Sequence, residues 1–359
     1  MLALTSAGAA EPVTVIDAAG DRAGHELRGP RGLALDAHGN LYVAGFLSHN
    51  VFRVSPKGEV KLLADSTGDG ARSALKSPRS VAVDAQGNVY VAAEASHTLL
   101  RISPRGEVAA VVGSPDSALL RRPSHVVVGP AGDVYVAAQG SGRVLRIPPA
   151  GGRIHEVIGR GGDGKHELLR PNGLAVDARG NLYVVGAKSD NAFRVSRSGE
   201  IVQILDASGA GPGAKLEFPD AVAVDTAGNV YVAGNNSGNV FRVAPDGSVR
   251  EVVGPRDPQD GGWLGAPSEL ALAADGSLYV ARMGERALQR LEPDGSVRRV
   301  LDETGPGGQR RLRMARGLAI GAHGDVYVAG MGSQNVLRIR PEAPARKDAA
   351  PAPKPKPKP

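Results

Sequence analysis

Seven tyrosines recur in this chain at an almost fixed interval, and that interval limits what the chain can become. They are Tyr42, Tyr90, Tyr135, Tyr183, Tyr231, Tyr279 and Tyr327, spaced by 48 residues except for one interval of 45. The chain has no other tyrosine. Each is followed 11 residues later by an arginine: Arg53, Arg101, Arg146, Arg194, Arg242, Arg290 and Arg338. A period of this size is the mark of a repeat architecture, in which one supersecondary unit buries its apolar faces only by stacking on copies of itself.

One unit carries four strand signals. "GLALD" (32–36), "NLYVA" (40–44), "NVFRVS" (50–55) and "EVKLLA" (59–64) are apolar or β-branched runs punctuated by Gly, Pro, Asn and Asp. The turn "DAHGN" and its equivalents open with Asp and place Gly where a positive φ is needed. The first run is apolar at consecutive positions, which predicts a strand buried on both faces. Four strands in about 40–50 residues, repeated, predict the blade of a β-propeller. The seventh unit stops after its third strand, "NVLRIR" (335–340), while an unpaired run, "VTVID" (13–17), precedes the first unit. The expected fold is all-β: a seven-bladed β-propeller of four-stranded blades over 13–340. Strand 13–17 completes the last blade and removes an open sheet edge.

Composition narrows the classes. Apolar residues make up 42% of the 359, but aromatics only 4%, so Val, Leu, Ile and Ala must build the core. There is no cysteine, which excludes disulfides, thiolate chemistry and cysteine-ligated zinc. The net charge is +6, and half of the excess lies in "PEAPARKDAAPAPKPKPKP" (341–359), where five Lys/Arg meet two Asp/Glu. That Pro/Lys-rich tail is expected to be disordered and solvated. The mild remaining excess, without aromatic–basic interleaving, carries no specific nucleic-acid signal. No run of 18 apolar residues predicts a membrane span. "MLALTSAGAAEP" (1–12) reads either as a disordered start or as a remnant signal segment. Its "AGAA" is similar to a small-residue cleavage site, but a basic start is missing. A periplasmic or secreted location and a cytoplasmic one both stay open.

The stretch "STGDGARSALKSPRSVAVDAQGNVYVA" (66–92) resembles the NHL-repeat proteins. The shared pattern is GDG, then A-x-L-x-x-P, then a V-A-V-D-x-x-G-N-V-Y-V-A run, and it recurs with decay in all seven units. The resemblance implies a β-propeller, often six-bladed, serving as a binding or scaffolding module. The wider superfamily includes gluconolactonases and streptogramin B lyases, so fold follows from the resemblance more firmly than chemistry. One departure is plain: the aspartate usual after "YVA" is Gly45, Glu94, Gly234 or Gly330 here, and a Ser-x-Asn such as Ser48–Asn50 or Ser189–Asn191 follows.

Function should be written where the copies disagree. The residue after the proline of each first strand is expected at the channel mouth. These are Arg31, Arg79, Ser124, Asn172, Asp220, Ser268 and Arg316, followed by Gly32, Ser80, His125, Gly173, Ala221, Glu269 and Gly317. The candidate ligand-binding set is Arg31, Arg79, Ser124, His125, Asn172, Asp220, Glu269 and Arg316. With Arg121, Arg122, Arg310, Arg311 and Arg313 in the links, the arginines suit an anionic partner: a carboxylate, a phosphate, or an acidic peptide or glycan. The gluconolactonase resemblance implies Asn172 and Asp220 as ligands of Ca²⁺ or another divalent cation, with Glu269 as a third oxygen. That family's other Asn and Glu ligands have no clear match here. His125 and Glu269 together would suit a base and its partner. The seven arginines shared by every unit serve the unit, with carbonyls of a neighbouring blade as expected partners. No Ser–His–Asp set, phosphate loop or dinucleotide fingerprint is present. The role best supported is a monomeric, non-catalytic binding or scaffold module with a protein, peptide or glycan partner. The alternative is a metal-dependent lactonase-like hydrolase or lyase.

Overall fold

The computed structural model describes residues 11–70, 73–113, 118–149, 151–257, 261–284, 287–303 and 311–340. The expected signal remnant and Pro/Lys tail fall outside these, except for Glu11 and Pro12. Blade 1 comprises β2 (Pro30–Leu35), β3 (Leu41–Gly45), β4 (Asn50–Val54) and β5 (Val60–Ala64), all antiparallel. Five more blades of four strands follow, β6–β9 (78–113), β10–β13 (123–158), β14–β17 (171–205), β18–β21 (219–253) and β22–β25 (266–301). The seventh contains β26 (Ala315–Ile320), β27 (Val326–Gly330), β28 (Asn335–Ile339) and, at its outer edge, β1 (Val13–Ile16). β1 lies antiparallel to β28 through Val13–Arg338, Thr14–Leu337 and Ile16–Val336, so the ring closes as the sequence predicts. Among the described residues no helix is long and apolar enough to cross a membrane.

The 11-residue offset from tyrosine to arginine is a hairpin register. Tyr42 stands directly across from Arg53, and the other six pairs do the same. In four blades the tyrosine hydroxyl donates to the turn aspartate, as Tyr42 does to Asp36 at 3.0 Å. Where ion pairs form, the shared arginines meet carboxylates of their own blade, not a neighbour's carbonyls. Arg146 meets Asp133 at 2.9 Å, Arg194 meets Glu200 at 3.7 Å and Arg290 meets Asp275 at 2.6 Å. The carboxylate is simply the nearer and stronger acceptor at the turn end of the hairpin.

The core lies between blades. Each of seven apolar clusters joins two neighbours, and the cluster of Ile16, Ala329 and Val336 with Leu41, Val43 and Phe52 seals blade 7 against blade 1. One leucine per link is driven into these seams: Leu27, Leu75, Leu120, Leu168, Leu216, Leu264 and Leu312 are all fully buried. The second strand, typified by β3, is buried throughout, whereas the first, β2, is mostly only partly buried. This reverses the expectation for "GLALD": the innermost strand borders the channel, and its neighbour is sandwiched.

The Ser-x-Asn motif is a staple for the links. Ser48 Oγ accepts from Arg28 N–H at 3.0 Å and donates to Asn50 Oδ1 at 2.7 Å, and Asn50 Nδ2 donates to the Glu26 carbonyl at 2.9 Å. Ser189–Asn191, Ser237–Asn239 and Ser333–Asn335 repeat the arrangement. Latches between blades add to it. His49 Nδ1, His97 Nδ1 and Asp190 Oδ1 accept from the backbone N–H of Ser77, Arg122 and Phe218 on the following link.

Glycine at the third position of the innermost strand has a packing reason. A Cβ on Gly317 would lie 1.9 Å from the Arg31 carbonyl oxygen, and one on Gly173 would lie 2.8 Å from that of Asp220. Gly317→Ala should therefore lower the melting temperature markedly, through overpacking of about 1–3 kcal/mol or more. Gly321→Ala should be close to neutral, because its Cβ would meet nothing nearer than 3.7 Å and blade 6 already carries Ala273 there. Equal melting temperatures for the two variants would refute this account.

Candidate functional site

The innermost strands converge on a central cavity of about 380 Å³, and every residue of the candidate set lines it. Six of these strands start with a proline or the residue before it, and β26 starts with Ala315. A register shift follows at the residue that reaches the mouth, as between Pro78 and Ser80, which places Arg79 out of the ladder.

The mouth is crossed by a chain of polar contacts that links blades 2, 4, 5 and 7. Arg79 of blade 2 donates to Glu94 at 3.3 Å and reaches over to Asn172 Oδ1 of blade 4 at 2.7 Å. Asn172 Nδ2 donates to Asp220 Oδ1 of blade 5. Arg316 of blade 7 donates to Asp220 Oδ2 at 3.4 Å, and Arg79 stands 3.8 Å from Asp220 Oδ1. Asn172 and Asp220 are thus brought together as the spacing implied, but their oxygens face arginines and each other. Glu269 makes a 3.3 Å contact with its own following N–H. Among the described residues no group of three or more His, Asp or Glu side chains is placed to hold a metal ion.

Ser124 is turned into a seam, where its hydroxyl donates to the Pro171 carbonyl at 3.1 Å, and Ser268 does the same to Ala315 at 2.6 Å. The rim arginines are largely neutralised: Arg122 by Glu94 at 2.7 Å, Arg311 by Glu11 at 3.0 Å, and Arg313 by Glu303 at 3.1 Å. Arg121 is exposed, and Arg310 lies outside the described residues.

Arg31 differs from all of these. No hydrogen bond or ion pair to it forms among the described residues. Its guanidinium stacks over Phe46, 5.4 Å from the ring centre. Burial, and then the charges of Arg79 and Arg316, lower its pKa to about 9, against a smaller opposing pull from Asp220 and Glu94. Ring closure is what crowds these three cations, since Arg316 and Arg31 sit on the last and first blades. Burial also holds Glu94 up, but Arg79 and Arg122 outweigh it and leave the carboxyl below its ordinary range.

His125 and Glu269 line the same cavity, and both are pushed towards their neutral forms. Burial, with Arg79 and Arg31 nearby, lowers His125 to about 4. Burial, with a contribution from Asp220, raises Glu269 to about 8. Neither compensates the arginines.

Sequence reading missed two residues. Trp263, the only tryptophan, is 53% exposed beside a second cleft, and Arg282 is fully buried beneath it. Arg282 was visible as the one arginine at a position where the other blades carry Gly or Ala after "YVA" or "YVV".

The raised Glu269 fixes a pH dependence. The fold favours its protonated form, so the stabilisation is complete below about pH 4.5 and fades as pH rises through 8. Glu269→Gln stays neutral throughout. Its melting temperature should match the wild type near pH 5 and exceed it near pH 9 in scanning calorimetry; a pH-independent difference would refute the assignment.

Comparison with known proteins agrees with the fold. A model of a β-propeller repeat matches residues 209–242. No curated protein sequence matches the chain. Among solved structures, a streptogramin B lyase is 14% identical and superposes with a TM-score of 0.70, over 92% of this chain and 97% of that one. The extracellular domain of a one-component system from B. thetaiotaomicron is 11% identical, with a TM-score of 0.65 over 92% of this chain and 40% of that one. A gluconolactonase from Xanthomonas campestris is 15% identical, with a TM-score of 0.52 over 91% and 88%. At such identities the likeness is one of fold, and that fold serves both enzymes and extracellular domains. The chain is a seven-bladed β-propeller of four-stranded blades.

Proposed function

We propose that this protein is a non-catalytic binding module that takes an anionic group of its ligand into the channel mouth, onto Arg31. The observation that carries this reading is the unpaired guanidinium at the cavity, pressed by two further arginines whose own carboxylates are already engaged. A carboxylate or phosphate about 4 Å from one such cation gains roughly 4 kcal/mol before desolvation at an effective dielectric of about 20. Asn172, Asp220 and Glu94 act on this reading as the frame that orients Arg79 and Arg316. A partner bearing the anion, whether protein, peptide or glycan, would rest on the link-bearing face.

Melting temperatures in citrate or phosphate, against chloride at matched ionic strength, test the proposal. Such anions stabilise proteins generally, so the difference from Arg31→Ala is the quantity read. The wild type should gain more than the variant, whose anion affinity falls about 10- to 100-fold with the loss of one charge-assisted contact. In chloride the variant should melt no lower than the wild type, since a crowded cation is gone. Equal gains would sink the reading.

The metal-dependent alternative makes a separate forecast. With Asn172 and Asp220 engaged by arginines, millimolar calcium or EDTA should leave the melting temperature unchanged in wild type and Asp220→Ala alike. A calcium-dependent rise confined to the wild type would favour a cation at the mouth.

A further inference from the structure

The repeat breaks down most at blade 6. There the hairpin from β23 (Leu278–Met283) to β24 (Leu288–Leu291) lacks the Ser-x-Asn staple, and Arg282 replaces Gly or Ala. Arg282 is fully buried and has no carboxylate among its described partners. It donates through Nη1 to the carbonyls of Gly238 at 2.9 Å and Gly265 at 2.8 Å, through Nη2 to Gly254 at 3.3 Å, and through Nε to Gln289 at 2.7 Å. Burial alone lowers its pKa to about 9. A buried, unneutralised arginine is a costly substitute for a serine staple. What it holds are Gly254 and Gly265, at the two ends of the link, and the Gly238 turn, all tied to one point.

That link presents Trp263. The indole edge packs where Gly238 has no side chain: a Cβ there would lie 2.9 Å from the Trp263 ring and 3.0 Å from Pro255. Trp263 bridges to Arg256, Leu264 N–H donates to the Pro255 carbonyl at 3.0 Å, and Asp257 pairs with Arg299 at 2.7 Å. The indole is therefore seated rather than loose, yet half of it is exposed. It borders a cleft of about 760 Å³ shared with Asn235, Asn236, Met283 and the glycines Gly265 and Gly284. Asn235 Nδ2 is used on the Pro267 carbonyl at 2.9 Å, which leaves its amide oxygen as an acceptor, and Asn236 is exposed. No charged side chain lines this cleft among the described residues, although the channel mouth on the same face is strongly cationic.

We infer that the Trp263 cleft is a second binding site, separate from Arg31, for a neutral saccharide. An indole face offers a flat apolar surface to the C–H face of a pyranose ring, and the paired amides supply donors and acceptors at hydroxyl height. Among the described residues an ionic ligand finds no counter-charge there. Arg282 is a positioning residue that fixes the loop, and Gly265 and Gly284 lack side chains because their backbones meet: a Cβ on Gly265 would lie 2.7 Å from the Met283 carbonyl oxygen, and one on Gly284 would lie 3.1 Å from Gly265 Cα.

Because Trp263 is the sole tryptophan, its fluorescence reports this site alone. The full chain is titrated with neutral hexasaccharides of β-1,4-glucose, α-1,4-glucose, β-1,4-mannose and β-1,4-N-acetylglucosamine. At least one should give a saturable shift or quench of emission. By calorimetry, Trp263→Ala should weaken that binding about tenfold or more with an unchanged melting temperature. Trp263→Phe should restore part of it, and Arg31→Ala should leave it intact. No saturable change with any of the four, or binding retained in Trp263→Ala, overturns the site. Loss in Arg31→Ala would instead merge it with the channel mouth.

Discussion

Pairing of β1 with β28 turns a linear array of blades into a ring, and the rest of the molecule depends on it. Bringing together chain ends more than 300 residues apart opposes closure by about 5 kcal/mol of loop entropy. The ladder and the apolar seam of Ile16 with Val336, Ala329 and Phe52 oppose that term. Closure covers the outer edge of β28 and gives blade 7 the same four strands as every other blade. It also sets Arg316 beside Arg31. The crowding of cations at the mouth therefore exists only in the closed ring.

Within the ring, uniformity and divergence have different physical meanings. The link leucines, the Ser-x-Asn staples and the Tyr–Arg register recur because every seam poses the same packing problem. The mouth diverges because seven equivalent positions face one shared space. There they need not resemble one another and can contact partners across the channel, as Arg79 does with Asn172. Blade 6 diverges for another reason. Arg282 replaces a small residue and a staple together, and its hydrogen bonds to three carbonyls set the geometry of a single exposed indole. Buried charge of this sort destabilises unless something holds it in place, and such departures concentrate where a structure is used.

Much of the architecture was legible. Blade number, strand order and closure by 13–17 follow from counting, because a two-residue alternation and a fixed hairpin offset are local properties. Three readings went astray at the next level. The apolar first strand was taken as buried on both faces, yet β2 borders the channel. The shared arginines were assigned to neighbouring carbonyls, yet Arg146 and Arg290 meet carboxylates of their own hairpin. Glycines such as Gly317 were read as part of a ligand-facing pattern, yet they are glycine because the next blade's backbone passes close by. Each error concerns what stands opposite a residue, which periodicity does not encode.

The amino-acid sequence by itself determined a seven-bladed ring of four-stranded blades, since that outcome rests on local strand pairing repeated at a constant interval. It also named the residues that would meet at the mouth. Only the tertiary structure decided how they meet: Asn172 and Asp220 locked to each other and to arginines, Arg31 stacked on Phe46 with no ion pair among the described residues, and Trp263 seated over Gly238 by Arg282. Those outcomes depend on distances across a channel and between links, and such distances exist only after closure has placed distant blades side by side.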